Sequence, residues 1–299
     1  MQRPRNIPAA LPEAEMIDIQ ALKRSLEDGS TELVCVLGPT ASGKTKYAVA
    51  LARELGGEII SADSRQVYRG MDIGTGKDLA EYGDIPYHLI DIANPGDGYN
   101  VFRFKEDFFR AYDDIRSRGT VPILCGGTGL YINAVTSGYD FKTHKPLSEP
   151  GPFPVISTGA EPFPVISTGA ERSGEIPCND AIPRQARNDS ETPPRTYFIG
   201  TLVSREVRNA RIDARLDARL QEGMVDEIKG LLDSGVPASI LISYGLEYKY
   251  VTLYLTGSLD YASMREKLAI AIHQFAKRQM TWFRGMERSG TVIHWTEVH

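Results

Sequence analysis

The feature that most constrains the fold of this chain is a glycine-rich turn between a short apolar run and a helical segment. The turn reads GPTASGKT over residues 38–45 and satisfies the pattern G-x-x-x-x-G-K-[ST]. Before it stands LVCVL, residues 33–37, whose unbroken apolar character predicts a buried parallel strand. After it, KYAVALARELG predicts a helix that ends near the glycines at 56–57. This strand–loop–helix unit is the P-loop arrangement, which binds phosphate groups.

The chemistry of the loop follows from its residue types. Its glycines let backbone amides turn inward, so that they form an anion-binding nest at a helix N-terminus. Lys44 adds a positive charge for the phosphates, and Thr45 offers its hydroxyl to Mg²⁺. A glycine-rich turn without a ligand is the alternative. The predicted phosphate-binding residues are Gly38, Pro39, Thr40, Ala41, Ser42, Gly43, Lys44 and Thr45.

Predicted strands and helices alternate along much of the remaining chain. Helical spacing of apolar residues marks residues 16–28 and 104–118, and the C-terminal region is mostly helical. Alternating strands and helices predict an α/β fold with a parallel sheet covered by helices on both faces. The further predicted strands are EIISAD (58–63), VPILC (121–125), TYFIGTLV (196–203) and TVIHW (291–295).

Composition changes sharply over residues 146–195. Ten of the 18 prolines fall within 146–194, and the decapeptide PFPVISTGAE occurs twice in succession, at 152–161 and 162–171. The segment has no helical or strand period, so the sequence predicts a disordered insert. The predicted organisation is a first part of the P-loop core at 1–145, the insert at 146–195, and a second, mostly helical part of the core at 196–299.

Charge, hydropathy and cysteines bound the partners and the compartment. The net charge of −5 means that a nucleic acid would have to bind a local basic patch. No run approaches the ~18 apolar residues of a membrane helix, and the N-terminal residues do not resemble a signal peptide. Cys35 and Cys125 lie in apolar runs, and with Cys178 they fit neither a zinc site nor a disulfide framework. We therefore predict a cytoplasmic protein without a membrane partner.

Two further segments place polar groups at predicted strand ends. SADSRQVYRGMDIGTGK (61–77) puts Asp63 at the end of the second strand, at the edge where open α/β sheets bind ligands. Alternatively, an Asp at this position caps the turn that follows, and spacing alone does not decide between the two. GGTGLY (126–131) is a second glycine turn, which would aim Thr128 into the same cleft.

Cations recur at helical spacing in the second half of the chain. Five arginines with separations of 3, 3, 4 and 4 residues fall on one helix face, apart from the acids. Such a stripe is usually a solvated face, and the alternative is a surface for RNA or phosphate. Trp282 stands among cations in the last helix, where it would hold an unstacked base or pack in the core. The five arginines are Arg205, Arg208, Arg211, Arg215 and Arg219.

In combination these segments resemble the tRNA dimethylallyltransferases, also called tRNA isopentenyltransferases. The resemblance covers nearly all of 33–141 and 196–295. It is carried by GPTASGKT, SADSRQVYRGMDIGTGK, YHLIDI, GGTGLY, the arginine-rich segment 205–228 and AKRQMTWFR (276–284).

The resemblance implies a P-loop NTPase-like, nucleotide-kinase-like fold whose loop holds dimethylallyl diphosphate with Mg²⁺. The five-carbon group passes to the exocyclic amine of the adenosine just 3′ of the anticodon, so the partner is the anticodon loop of tRNA. The resemblance makes Asp63 and Lys44 the catalytic residues, with Asp63 as the base. It places Asp63, Ser64, Arg65, Gln66 and Thr128 against the RNA.

The chain departs from the family pattern at two places. The family has an arginine where this chain has His273, so His273 or Arg278 is the candidate for that contact with the diphosphate. The family also carries a helical insertion where this chain has 146–195. Two alternatives remain, a P-loop kinase of a small metabolite or nucleoside and a non-catalytic RNA-binding relic of the family. We predict a monomer.

Overall fold

A parallel β-sheet forms the centre of the structure, a computed structural model that describes residues 11–137, 139–140, 145–146 and 192–298. Its strands are β1 (Leu33–Leu37), β2 (Gly57–Ser61), β3 (Tyr87–His88), β4 (Val121–Gly126), β7 (Thr196–Leu202) and β8 (Ile293–Glu297). They stand in the order β3-β2-β4-β1-β7-β8, and every pairing is parallel. The short strands β5 (Tyr139–Asp140) and β6 (Lys145–Pro146) form a separate antiparallel pair.

Helices cover both faces of this sheet and extend beyond one edge. The described helices are α1 (Ile19–Glu27), α2 (Lys44–Leu55), α3 (Val101–Ser117), α4 (Gly129–Thr136), α5 (Arg205–Gln221), α6 (Met224–Asp233), α7 (Ala238–Ser243), α8 (Leu246–Leu255) and α9 (Tyr261–Arg288). A single 3₁₀ turn spans Leu79–Glu81 in the described part of the chain. This architecture is the α/β class that the sequence predicts.

Strand β1 shows why its sequence is apolar throughout. Leu33, Cys35 and Leu37 pack in one cluster with Phe104 and Phe108 of α3, whereas Val34 and Val36 pack in another with α2. All five side chains are fully buried, because each face of the sheet is covered by helices. The predicted strand 33–37 is therefore confirmed with the same bounds.

The segments before and after the predicted insert contribute to one sheet. β1 lies between β4 and β7, with Leu33 beside Thr196 and Leu37 beside Gly200. Strand β8 then extends the sheet from β7, where the Trp295 ring occupies the space that a side chain at Gly200 would need. Residues close to both ends of the sequence thus share a single core.

Helix α9 connects this sheet to a helical lobe, by which we mean α5 to α8 and the first half of α9. Met264 and Leu268 pack in the core of the lobe, around the fully buried Tyr248. Further along the same helix, Phe283 and Met286 pack against the sheet. The middle of α9 consequently passes the carboxyl ends of the strands and closes a cavity there.

Several predictions concern residues that the structure does not describe. The predicted insert at 146–195 lies outside the described residues, apart from Pro146 and 192–195, and so does Cys178. Cys35 and Cys125 are buried and unpaired, as predicted. Across the described ranges, every helix is too short or too polar to cross a membrane.

Candidate active site

The P-loop runs from Gly38 to Thr45, between the end of β1 and the first turn of α2. Ala41 and Gly43 have left-handed backbone conformations, with φ of 61° and 80°, which turn neighbouring N–H groups to the concave side of the loop. Gly38 has no room for a side chain, because a Cβ there would lie 2.6 Å from Ser42 Oγ. The loop therefore has the backbone form of an anion-binding nest.

Side chains from distant parts of the sequence hold this loop in place. Ser42 Oγ lies 2.7 Å from Thr201 Oγ1, a hydrogen bond that ties the loop to β7. Gln279 on α9 accepts a hydrogen bond from the Thr40 N–H at 2.8 Å. Its Nε2 donates to the carbonyl oxygen of Gly127 at 3.0 Å. The buried Gln279 amide thus links the P-loop to the GGTGLY turn.

Sequence reasoning did not single out Gln279. The available signal was its place inside AKRQMTWFR, between Arg278 and Met280. The Gln279 side chain already accepts the Thr40 N–H, so that N–H is not available to an anion. An anion in the nest would be bound by the N–H groups of later residues in the loop.

A cavity of about 400 Å³ opens at the carboxyl ends of the strands, beside the P-loop. One wall is the loop itself, and the others come from the turn after β2, the segment 74–82, helix α5 and the middle of α9. Of the predicted site residues, the cavity wall includes Thr40, Ala41, Gly43, Lys44, Thr45, Asp63, Arg65 and Gln66.

The position of Asp63 is compatible with both of the roles that the sequence left open. Its Oδ1 accepts a hydrogen bond from the Arg65 N–H at 2.9 Å, so it caps the turn after β2. Its side chain also lines the cavity. Within the described residues no donor bonds to its second oxygen, Oδ2, which leaves that oxygen available to a ligand.

The structure does not place Thr128 on the cavity wall. Its Oγ1 accepts a hydrogen bond from the Ser64 N–H at 3.3 Å, behind the turn that carries Asp63. Ser64 itself lines an adjoining cavity of about 380 Å³, which it shares with Arg65. Thr128 is thus placed to support the Asp63 turn, and Ser64 and Arg65 lie where the two cavities meet.

The five arginines of α5 lie in different environments. Arg211, Arg215 and Arg219 line the cavity opposite the P-loop. Arg205 is exposed at the start of the helix, while Arg208 is buried. Periodicity correctly put these arginines on one helix face, but only the fold shows that part of this face lines a cavity.

Burial shifts the pKa values of two ionisable residues in the cavity, Lys44 and Glu81. It lowers the pKa of Lys44 below the ordinary lysine value, because a charged ammonium is disfavoured away from water. Burial and the neighbouring Asp78 raise the pKa of Glu81. Asp78 also forms an ion pair with Arg215 at 2.9 Å. An anionic ligand would offset the desolvation of Lys44, so the site favours binding of phosphate groups.

The two candidates for the family's arginine contact do not line the cavity. The ring nitrogens of His273 lie 3.2 Å from Asn209 Oδ1 and 2.8 Å from Asp213 Oδ1, on α5. The guanidinium of Arg278 is exposed and stacks on Phe275, with its carbon 5.9 Å from the ring centre. Besides Lys44, Lys46 and Arg65, the cations that line the P-loop cavity are Arg211, Arg215 and Arg219 of α5.

The neighbouring aromatic residues Trp282 and Phe283, near the end of α9, lie in different environments. Phe283 is fully buried in the core. The Trp282 ring packs on the backbone of Gly129, where a side chain would collide with it, and the residue keeps 40% of its surface exposed. Trp282 is therefore the member of the pair with a free surface.

The cavity suits a magnesium ion that arrives with a diphosphate. Mg²⁺ is usually held by one or two oxygen side chains together with phosphates and water. Thr45 supplies a hydroxyl in the cavity for such an ion. No cluster of three or more His, Cys, Asp or Glu that could hold a metal exists among the described residues. The Thr45 hydroxyl fits an ion bound mainly by substrate phosphates.

The fold and the site together define a P-loop α/β protein of the nucleotide-kinase-like class, with a basic cavity at the carboxyl ends of its strands. The family model described as IPP transferase matches residues 66–152 and 170–286, and that described as isopentenyl transferase matches residues 31–82. The first match omits 153–169, where most of the duplicated decapeptide lies.

Curated relatives and solved structures agree with these matches. The tRNA dimethylallyltransferase 1 of Porphyromonas gingivalis is 51% identical, over 89% of this chain and 94% of that protein. The enzyme of the same name from Parabacteroides distasonis is 50% identical, over 90% and 93%. The crystal structure of the tRNA isopentenylpyrophosphate transferase from Bacillus halodurans superposes with a TM-score of 0.67 at 32% identity, over 89% and 90%. The chain belongs to the tRNA dimethylallyltransferase family.

Proposed function

We propose that this chain is a tRNA dimethylallyltransferase, which moves the dimethylallyl group of dimethylallyl diphosphate to the exocyclic amine of the adenosine 3′ of the anticodon. The observation that carries the proposal is the presence of Lys44 and Asp63 in one cavity. One is a cation in a phosphate-binding loop, and the other is a carboxylate with an available oxygen. The names of the relatives support the same reaction.

The donor side of the reaction requires stabilisation of a leaving diphosphate. The bond between the allylic carbon and the diphosphate oxygen breaks, and its electron pair leaves with the oxygen. Lys44 and the P-loop amides bind the negative charge that develops there, which lowers the barrier to ionisation. Bound Mg²⁺, held at Thr45 and the phosphates, would neutralise part of the same charge.

The acceptor side requires removal of a proton. The lone pair of an adenine amine is delocalised into the ring, so the amine is a weak nucleophile until its proton is removed. As the new carbon–nitrogen bond forms, Asp63 accepts that proton. The adenine must leave its stack to reach the cavity, which costs little for a loop nucleotide.

We further propose that the protein acts as a cytoplasmic monomer. All the groups named for the reaction come from one chain, so the proposed reaction does not require a second copy. Two buried, unpaired cysteines in the described part of the chain agree with a reducing compartment. Light scattering of the purified protein at several concentrations tests the monomer, and a mass of twice the chain would exclude it.

The function is tested by incubating purified protein with an anticodon stem-loop RNA and isotope-labelled dimethylallyl diphosphate. We expect label on the adenosine 3′ of the anticodon, and none with Lys44→Ala. Lys229→Ala is the matched control, since Lys229 is an exposed cation on α6 outside the cavity. A parallel incubation with labelled ATP tests the kinase alternative, and phosphoryl transfer without prenyl transfer would refute the proposal.

A further inference from the structure

One cation in the cavity has an atom for which the folded chain supplies no partner. Arg219 on α5 lines the cavity wall. Its Nη2 atom is buried, and no described residue accepts a hydrogen bond from it. A buried donor without an acceptor is costly, and each such group in a native structure needs an explanation.

The surroundings of Arg219 favour an anion at this place. Gly76, with φ of 67°, has no side chain, and a Cβ there would collide with the guanidinium groups of Arg219 and Arg215. Burial, followed by the nearby charge of Arg215, lowers the pKa of Arg219 to about 10. The acidic side chains Glu247, Asp78 and Glu222 raise this pKa through their charge alone, without a hydrogen bond to the guanidinium. Two cations are therefore packed side by side over a glycine backbone.

The position of this pair identifies the anion. Arg215 and Arg219 line the same cavity as Lys44, so the arginines and the P-loop face the same volume. A diphosphate carries several negative charges, which one P-loop lysine does not balance, so further cations facing the loop would contribute to its binding. An RNA phosphodiester, in contrast, belongs to the backbone from which a base would be extruded, so its phosphate stays nearer the mouth of the cavity.

We propose that Arg219 is a binding residue for the donor, whose Nη2 donates a hydrogen bond to a diphosphate oxygen on the side opposite the P-loop. This inference rests on the proposed function, since it takes the diphosphate as the ligand of the cavity. It adds to the P-loop a second set of contacts, which holds the leaving group from two sides.

The test uses calorimetric titration of inorganic pyrophosphate with Mg²⁺, and thermal unfolding without ligand. Arg219→Met removes the charge and keeps much of the side-chain volume, so the unliganded melting temperature should stay equal or rise. The dissociation constant for pyrophosphate should increase about 10- to 100-fold, as for a lost charge-assisted hydrogen bond. Arg205→Met, at an exposed arginine of the same helix, should change neither quantity.

Other results would contradict either the inference or the proposed function. Unchanged pyrophosphate affinity in Arg219→Met overturns the inference, and so does weaker binding of stem-loop RNA with unchanged pyrophosphate affinity. If Arg219→Met lowers the melting temperature, Arg219→Lys should still bind pyrophosphate more tightly than Arg219→Gln, and equal affinities overturn the inference. If the unchanged protein fails to bind pyrophosphate, the proposed function itself fails.

Discussion

At the scale of single residues, Asp63 uses its two carboxylate oxygens differently. Oδ1 accepts the Arg65 N–H and fixes the turn, which leaves Oδ2 for the acceptor amine. The sequence could locate Asp63 at a strand end, but capping and catalysis predict the same residue type there. Its position on the cavity wall supports the proposal that one side chain has both roles.

Replacement of Asp63 by Asn separates these roles. The amide oxygen of Asp63→Asn can still accept the Arg65 N–H, so the melting temperature should be unchanged. The amide cannot take a proton, and the single-turnover rate should fall by a factor on the order of 10²–10⁴. Asp84→Asn, at an exposed acid, is the control. A mutant with the full rate would reduce Asp63 to a cap.

Gln279 should influence donor binding through its hydrogen bond to the P-loop. In Gln279→Glu the carboxylate still accepts the Thr40 N–H but can no longer donate to Gly127, and it adds negative charge beside the nest. Donor affinity should fall roughly 10-fold, as for one lost hydrogen bond of about 1 kcal/mol plus repulsion. Gln274→Glu places the same charge at an exposed position of α9. If both variants bind donor alike, Gln279 does not position the loop.

At the scale of elements, α6 holds the segment that follows the Asp63 turn. Glu227 accepts hydrogen bonds from the N–H groups of Asp72 and Ile73 at 2.8 and 2.7 Å. Its other oxygen accepts from the Gly74 N–H and from the Tyr248 hydroxyl, at 3.1 and 2.6 Å. One carboxylate thus ties three successive amides to the helical lobe, next to the Gly76 that packs on the arginines.

Loss of this carboxylate should loosen the segment. Glu227→Gln replaces one acceptor oxygen by an NH₂ group that faces N–H donors, so the free energy of unfolding should fall by about 1–3 kcal/mol. Asp226→Asn, at the adjacent exposed acid, should change it by less than about 0.5 kcal/mol. Urea unfolding followed by circular dichroism measures both. Equal stabilities would mean that the Glu227 contacts contribute nothing net.

The sequence predicts individual strands better than it predicts contacts between distant residues. Local pattern was sufficient for β1, because a strand buried on both faces must be apolar at every position. The bond between Gln279 and Thr40 joins residues 239 apart, and no local pattern encodes such a pair. For the same reason, helical periodicity placed five arginines on one helix face but could not show that three of them line the cavity and two do not.

At the scale of the whole molecule, the order of the strands joins the two halves of the chain. β1 pairs with β4 from the first half and with β7 from the second. A chain with a specific protease site in place of residues 162–171 should therefore remain one particle after cleavage. Size-exclusion chromatography should show both fragments in a single peak of unchanged volume. Separation of the fragments would contradict a shared core.

The most direct measurement of the central claim is the nucleoside content of tRNA in a bacterial strain that lacks its own prenyltransferase. With this chain supplied, mass spectrometry of digested tRNA should detect dimethylallyl-adenosine, and the anticodon stem-loop should carry it. With Lys44→Ala or Asp63→Asn supplied at equal amounts, the signal should be absent or strongly reduced. The proposed function is contradicted if the unchanged, folded chain yields no prenylated adenosine, or if Lys44→Ala yields as much.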